Sequence, residues 1–172
     1  MTAVANTVFT AAQFNTHVRD NLNETAPAKA TAAGRIFVTT GANSIAERPL
    51  ETAAVSTPET TTSVTYTDVA TIGPSVTINT GPAAIVWVSS FLQNNTSGAS
   101  SHVSFAVTGA TAIAASDVEA IRFNATAVGD FMRAGITSKV VLTPGSNTFT
   151  MKYRVSGGTG TFANRSITVM SL

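Results

Sequence analysis

From Ser63 to the last residue, short apolar stretches are cut by Gly, Pro and Asn turns at intervals of about ten residues. Such punctuation leaves no room for long helices and points to a sandwich or barrel of short strands. Ser63–Ile72 reads as an alternating strand closed by Gly73-Pro74, and Val76 and Ile78 alternate in the next, closed by Gly81-Pro82. Residues 83–93 (AAIVWVSSFLQ) are apolar on both faces, the pattern of a central strand, and Trp87 within them reads as core. His102–Thr108 follows with Val103, Phe105 and Val107 on one face. Residues 109–118 are looser. Glu119–Ala125, Asp130–Ala134 and Ile136–Thr143 read as three short strands. Pro144-Gly145-Ser146-Asn147 is a turn. Thr148–Val155 places Phe149, Met151, Tyr153 and Val155 together, Gly157–Gly160 turns the chain, and Ser166–Leu172 ends it. About eight to nine strands in about 110 residues suit a jelly roll.

Composition agrees. Thr supplies about one residue in six, and charged residues only 11%. Thr and Val favour pleated, half-buried surfaces. A net charge of +1 with no basic block argues against nucleic-acid binding. No apolar run reaches transmembrane length, and no basic segment followed by an apolar core marks a signal peptide. The absence of cysteine removes disulfides, thiol nucleophiles and thiolate metal sites together. A β protein with few charges and no disulfide draws robustness most cheaply from oligomer burial.

The first 50 residues are of another kind. Thr10-Ala11-Ala12-Gln13 has the form of a capping box, with Phe9 and Phe14 at the spacing of a hydrophobic staple. Ala11, Phe14, Val18 and Leu22 then share one helical face, and the helix should fade before Pro27. A stripe this short is marginal in water, so it must pack on its own domain, on a symmetry mate or on another protein. Arg35–Thr39 and Ser44–Arg48 read as a hairpin around Gly41 and Asn43, stopped by Pro49. A lone hairpin also needs a partner surface. Residues 51–62 (ETAAVSTPETTT) read as a linker.

A search for chemistry finds little. His17 and His102 read as ordinary surface residues without a second histidine at metal-ligand spacing. Asp117 and Glu119, two apart, would share one face of a strand, a pattern compatible with calcium binding or glycoside cleavage. Calcium loops usually carry more acids and glycosidases more aromatics, so a structural role is the better reading. Asp68 and Asp130 are the only other thin candidates. Gly157-Gly158-Thr159-Gly160 lacks the Lys-Ser/Thr and the helix of a phosphate loop. No catalytic residue, metal ligand or cofactor is expected.

Residues 9–22 (FTAAQFNTHVRDNL) carry a resemblance. Their "Ala-x-x-Phe/Leu-Asn-x-x-Val-Arg-Asp-Asn" form is similar to the opening of minor structural proteins of phages and prophages of actinobacteria. In these a short hairpin commonly follows, here Arg35–Arg48. Residues 65–74 (TYTDVATIGP) and 142–155 (LTPGSNTFTMKYRV) resemble their β modules. The resemblance covers nearly the whole chain. It implies a homo-oligomer, commonly a trimer, attached to the virion by its N-terminal part, with the β module facing outward.

The expected protein is therefore mainly β: a short N-terminal helix and β-hairpin followed by a jelly-roll-like β-sandwich. Residues 1–50 would anchor it, 51–62 link, and 63–172 form the oligomerising module. Anchoring and oligomer contacts would use Phe9, Phe14, Val18, Leu22, Ile36, Phe37, Val38 and Ile45. Expected partners are further copies of the chain and the major capsid protein or tail and baseplate proteins, with no nucleic acid and no membrane. The expected setting is the virion, assembled in the bacterial host cytoplasm, as a capsid decoration protein, head fibre or short tail fibre. Two alternatives remain open: a carbohydrate- or receptor-binding module of the tail apparatus, and a small depolymerase. The loops 94–100 and 109–118 hold no aromatic residue for sugar binding.

Overall fold

The computed structural model describes residues 8, 10–23 and 25–172. The chain divides into two compact units, Met1–Arg48 and Pro49–Leu172.

In the first unit the capping box forms. Thr10 Oγ1 accepts from the Gln13 N–H at 3.2 Å, and Gln13 Oε1 accepts from the Thr10 N–H at 3.0 Å. This starts α1 (Ala11–Phe14), which passes through a π turn at Asn15–Arg19 into α2 (Asp20–Asn23). A separate turn, α3 (Ala26–Lys29), holds Pro27 at its start, where a missing N–H costs nothing. The first helix ends at Asn23, before Pro27 as expected, and the proline lies in a new helical turn. The hairpin pairs β1 (Ile36–Gly41) with β2 (Ser44–Arg48), and Asn43 takes the left-handed turn conformation at φ 54°. Glu47 accepts from the Thr31 backbone N–H and lies 3.7 Å from Arg35; the Thr31 N–H holds its carboxyl below the usual range. None of the unit's described residues is buried.

The second unit is a jelly-roll-like β-sandwich. One sheet runs β5 (Ser75–Thr80), β10 (Gly145–Val155), β7 (Ser100–Gly109), β8 (Ile121–Asn124). The other runs β3 (Leu50–Val55), β11 (Gly160–Ser171), β6 (Ala83–Asn94), β9 (Phe131–Val141), with β4 (Glu59–Thr61) also on β11. The chain crosses between sheets at nearly every connection, so long antiparallel pairs such as β10–β7 join residues far apart in sequence. Val86, Val88 and Leu92 of β6 and Phe162, Ile167 and Val169 of β11 meet Val103, Phe105 and Val107 of β7 and Phe149, Met151 and Tyr153 of β10. Ring pairs Phe105–Phe149 (6.3 Å) and Tyr153–Phe162 (5.0 Å) fill the core.

Four sequence expectations need correction here. Residues 51–62 are not a linker: they form β3 and β4, which pair with β11. Residues 63–72 are not a strand but a loop touching the sheet at one bridge, Thr67 to Tyr153. The two strands placed at 130–134 and 136–143 are one, β9. Gly135 continues it in ordinary strand register opposite Ser89, and a Cβ there would sit tightly, 3.0 Å from the Val88 carbonyl oxygen. Trp87 is not core: it is 37% exposed on the outer face of β6.

The segment 56–74 is tied down by a buried cation. A bulge between Ala163 and Ser166 swings Arg165 inward, where it is fully buried. Its guanidinium donates to Glu59 Oε2 (3.0 Å) and to the carbonyls of Thr57 and Gly73 (3.3 and 3.4 Å), and lies 5.3 Å over the Tyr153 ring. Glu59 in turn accepts from the Thr71 N–H and hydroxyl, which keep its carboxyl below the usual range.

Candidate functional sites on the two sheet faces

The outer faces of the two sheets differ in chemistry. Strand parity dictates which residues each presents.

On the sheet holding β6, the residues opposite the core are Leu50 and Thr52 of β3, Thr168 and Met170 of β11, Ile85, Trp87, Ser89 and Phe91 of β6, and alternate residues of β9 from Phe131 to Val141. Phe131 is 68% and Val141 77% exposed. Phe91 and Phe131 stack at 5.4 Å on the surface instead of in the core. Among the described residues the charges on this face are Arg133 and Lys139, both on the β9 edge, with no carboxylate. Large apolar side chains on a charge-poor sheet face are the mark of a surface that another chain covers.

The β5–β10–β7–β8 face is polar. Hydroxyl pairs Ser75–Thr150 and Thr77–Thr148 (2.8 Å each) run across β5 and β10. Further along, register sets Arg154 beside His102 and Lys152 beside Ser104. The Thr67–Tyr153 bridge delivers Tyr66 next to Arg154, and a bridge between Val107 and Ile113 lays the loop 110–119 over β7. The loop ends in a 3-10 turn at Asp117–Glu119 that brings in Asp117. Tyr66 donates to Asp117 Oδ1 at 2.7 Å, and Arg154 donates to both Asp117 oxygens while lying 5.4 Å over the Tyr66 ring. His102 Nδ1 is 3.4 Å from Asp117 Oδ1. Lys152 donates to both oxygens of Asp68 at 2.8 Å. Tyr66, Asp117, Lys152 and Arg154 border an open groove of about 610 Å³ that Ala106, Ala114 and Ala115 also line.

The Arg154 and Tyr66 hydrogen bonds draw the Asp117 pKa down to about 2. Burial, then the Asp117 carboxylate, pushes the Tyr66 phenol up. Burial and the neighbouring Arg154 push His102 down, against the opposing pull of Asp117, so its imidazole is neutral at pH 7. A depressed carboxylate stabilises the fold above its unfolded pKa and loses that contribution as pH falls through its folded one. Asp117→Asn should therefore be less stable than the parent at pH 6, by no more than about 1 kcal/mol because Asp117 is largely exposed. The difference should vanish between about pH 4 and 2, as followed by chemical denaturation at each pH.

The remaining sequence candidates fall as follows. His17 is exposed on the N-terminal helix. His102, expected at the surface, is instead buried at 3% exposure, with Arg122, Arg154 and Asp117 beside it. Asp117 and Glu119 do not share a strand face: Asp117 joins the cluster, whereas Glu119 accepts from Ser138. Asp130 caps the turn at Thr126 and Ala127. Of the proposed anchoring residues, Phe9 lies outside the described residues. Phe14 (49%), Leu22 (60%) and Phe37 (42%) are exposed, and Val18, Ile36, Val38 and Ile45 are half-buried. Among the described residues no three potential ligands gather to hold a metal ion, and no helix is long and apolar enough to cross a membrane. Sequence reasoning missed the Tyr66–Arg154–Asp117 cluster, whose members lie up to 88 positions apart and meet only through sheet register.

No family model and no curated protein matches the chain. Solved structures do. A chain of the infectious bursal disease virus VP2 subviral particle superposes with a TM-score of 0.52 at 10% identity, over 80% of this chain and 38% of that one. The Gx strain of the same virus gives 0.51 at 13% identity, over 78% and 36%. The TNF protein Eiger from S. frugiperda gives 0.50 at 11% identity, over 73% and 94%. This chain thus spans little more than a third of the viral chains it matches and most of its length matches nearly all of the TNF chain. At such identities the likeness is one of fold: a β-sandwich shared with proteins of a virus particle and with a TNF protein.

Proposed function

We propose that the protein is a structural component of a bacteriophage particle, a homotrimer displayed on the virion surface as a decoration protein, head fibre or short tail fibre. The observation that carries this reading is the outer face of the β3–β11–β6–β9 sheet. Leu50, Ile85, Trp87, Phe91, Phe131 and Val141 put apolar area into solvent on a surface with no carboxylate among the described residues, whereas the opposite sheet is solvated by Thr, Ser and ion pairs. Packing that face against neighbouring copies removes the apolar area at about 25 cal/mol per Å². It also supplies the robustness that a cysteine-free, charge-poor domain otherwise lacks. The fold shared with virus-particle chains and the form of residues 9–22 support the virion setting. The N-terminal unit, with Phe14, Leu22 and Phe37 exposed, is the part that docks on a capsid or tail protein.

The test is the solution mass. Light scattering on the purified protein at micromolar concentration should give three times the chain mass of 17.6 kDa. Ile85→Glu with Trp87→Glu should give 17.6 kDa with the circular dichroism of the parent. Asn79→Asp, on the opposite sheet, should keep the trimer mass. A wild-type monomer, or a double variant that stays trimeric, removes the basis of the proposal.

A further inference from the structure

We infer that the groove between Tyr66, Asp117, Arg154 and Lys152 is a binding site for a neutral oligosaccharide. The inference does not depend on the oligomer: the groove lies on the sheet opposite the apolar face, and every residue that forms it belongs to one chain.

The ligand class follows from the charges. The groove's two cations, Arg154 and Lys152, are each matched by a carboxylate, Asp117 and Asp68. A phosphate, sulfate or sialic acid meets no uncompensated positive charge there and approaches two carboxylates. A cationic ligand meets the mirror situation. A purely apolar ligand would strip water from both ion pairs and return no hydrogen bond for it. A sugar hydroxyl is both donor and acceptor, so neighbouring hydroxyls can donate to a carboxylate and accept from a guanidinium or ammonium group at once. The other lining residues suit the rest of such a ligand. Ala106 and Ala114 give small apolar contacts for the C–H face of a pyranose, and Tyr66 adds an amphipathic aromatic wall. The volume of about 610 Å³ lies within the range of small-ligand clefts.

The site is also fixed before a ligand arrives. Asp117 holds Tyr66 and Arg154 at once, and Arg154 sits over the Tyr66 ring, so binding needs little ordering of side chains. The sequence conceals this aromatic because Tyr66 lies outside the loop it serves.

The experiment is saturation-transfer NMR on the full chain. The probes are the neutral trisaccharides cellotriose, maltotriose, mannotriose and galactotriose, with sialyllactose and a heparin disaccharide as charged comparators. At least one neutral trisaccharide should receive saturation. Ala114→Arg, at an exposed position lining the groove, should fill it and abolish the transfer with an unchanged melting temperature. Tyr66→Ala should weaken affinity by about tenfold. Transfer to none of the neutral sugars, transfer only to the charged ones, or transfer that survives Ala114→Arg overturns the site. The mass of the same samples keeps the outcomes apart: a trimer that binds no sugar defeats this inference and leaves the structural role standing.

Discussion

Arg165→Ala should lower the stability of the β unit by about 3–5 kcal/mol, more than any single substitution at the protein's surface. The reason is what the side chain leaves behind. Arg165 is fully buried and is the common donor to Glu59 and to the carbonyls of Thr57 and Gly73, which belong to a segment without regular structure of its own beyond β4. Truncation removes one donor from each of those acceptors, leaves the Glu59 carboxylate without its cation, and opens a void against the Tyr153 ring. Arg165→Met refills most of the volume and should recover part of the loss, because a buried ion pair is costly to break but not always costly to replace. Glu59→Gln should cost less, about 1–2 kcal/mol, since the amide oxygen can still accept from Thr71. Urea midpoints at one fixed protein concentration, with unchanged slopes, are the readout. An Arg165→Ala midpoint within about 0.5 kcal/mol of the parent would show that residues 56–74 do not depend on this cation.

The same residue shows where the sequence stops being legible. Local signals were readable: Thr10 and Gln13 form their box, Asn43 turns the hairpin, and Phe149, Met151, Tyr153 and Val155 alternate into the core. These depend on neighbours within a few positions or on period 2. Residues 51–62 carry no such period, and the alternation of residues 63–72 does not become a strand. Their order comes from an arginine about a hundred positions away and from pairing along β11, neither of which leaves a local mark. Trp87 was misplaced for a different reason. β6 is apolar on both faces, so alternation puts Trp87 with Ile85 and Phe91 but cannot say which set faces inward. His102 faces outward on its strand, and its burial comes from non-local neighbours, Arg122 and Arg154 beside it and Asp117 of the loop 110–119. The sugar groove shares that origin, since Tyr66 and Asp117 meet over a sheet and not along a chain.

Removing residues 1–48 should leave a β unit whose urea midpoint and oligomeric state match those of the full chain, yet which no longer enters particles at all. Every described member of the hydrophobic core, and every described side chain packed on it, lies at or beyond Ala53. The removed piece has the opposite character. A helix of this length is marginal in water and so is a single hairpin, and none of its described residues is buried. What it does offer is apolar area on Phe14, Leu22 and Phe37, which gains value only when a second protein covers it. Leu22→Asp with Phe37→Asp in the full chain should reproduce the defect, with the circular dichroism and mass of the parent, because both side chains are exposed. The measurement is the amount of each variant recovered in purified particles when it alone is supplied to a host producing a phage that lacks the wild-type protein. Truncated protein present at the wild-type level would move the attachment surface onto the β unit. Loss of the β unit's own fold on truncation would mean that the N-terminal segment stabilises its own chain and does not dock.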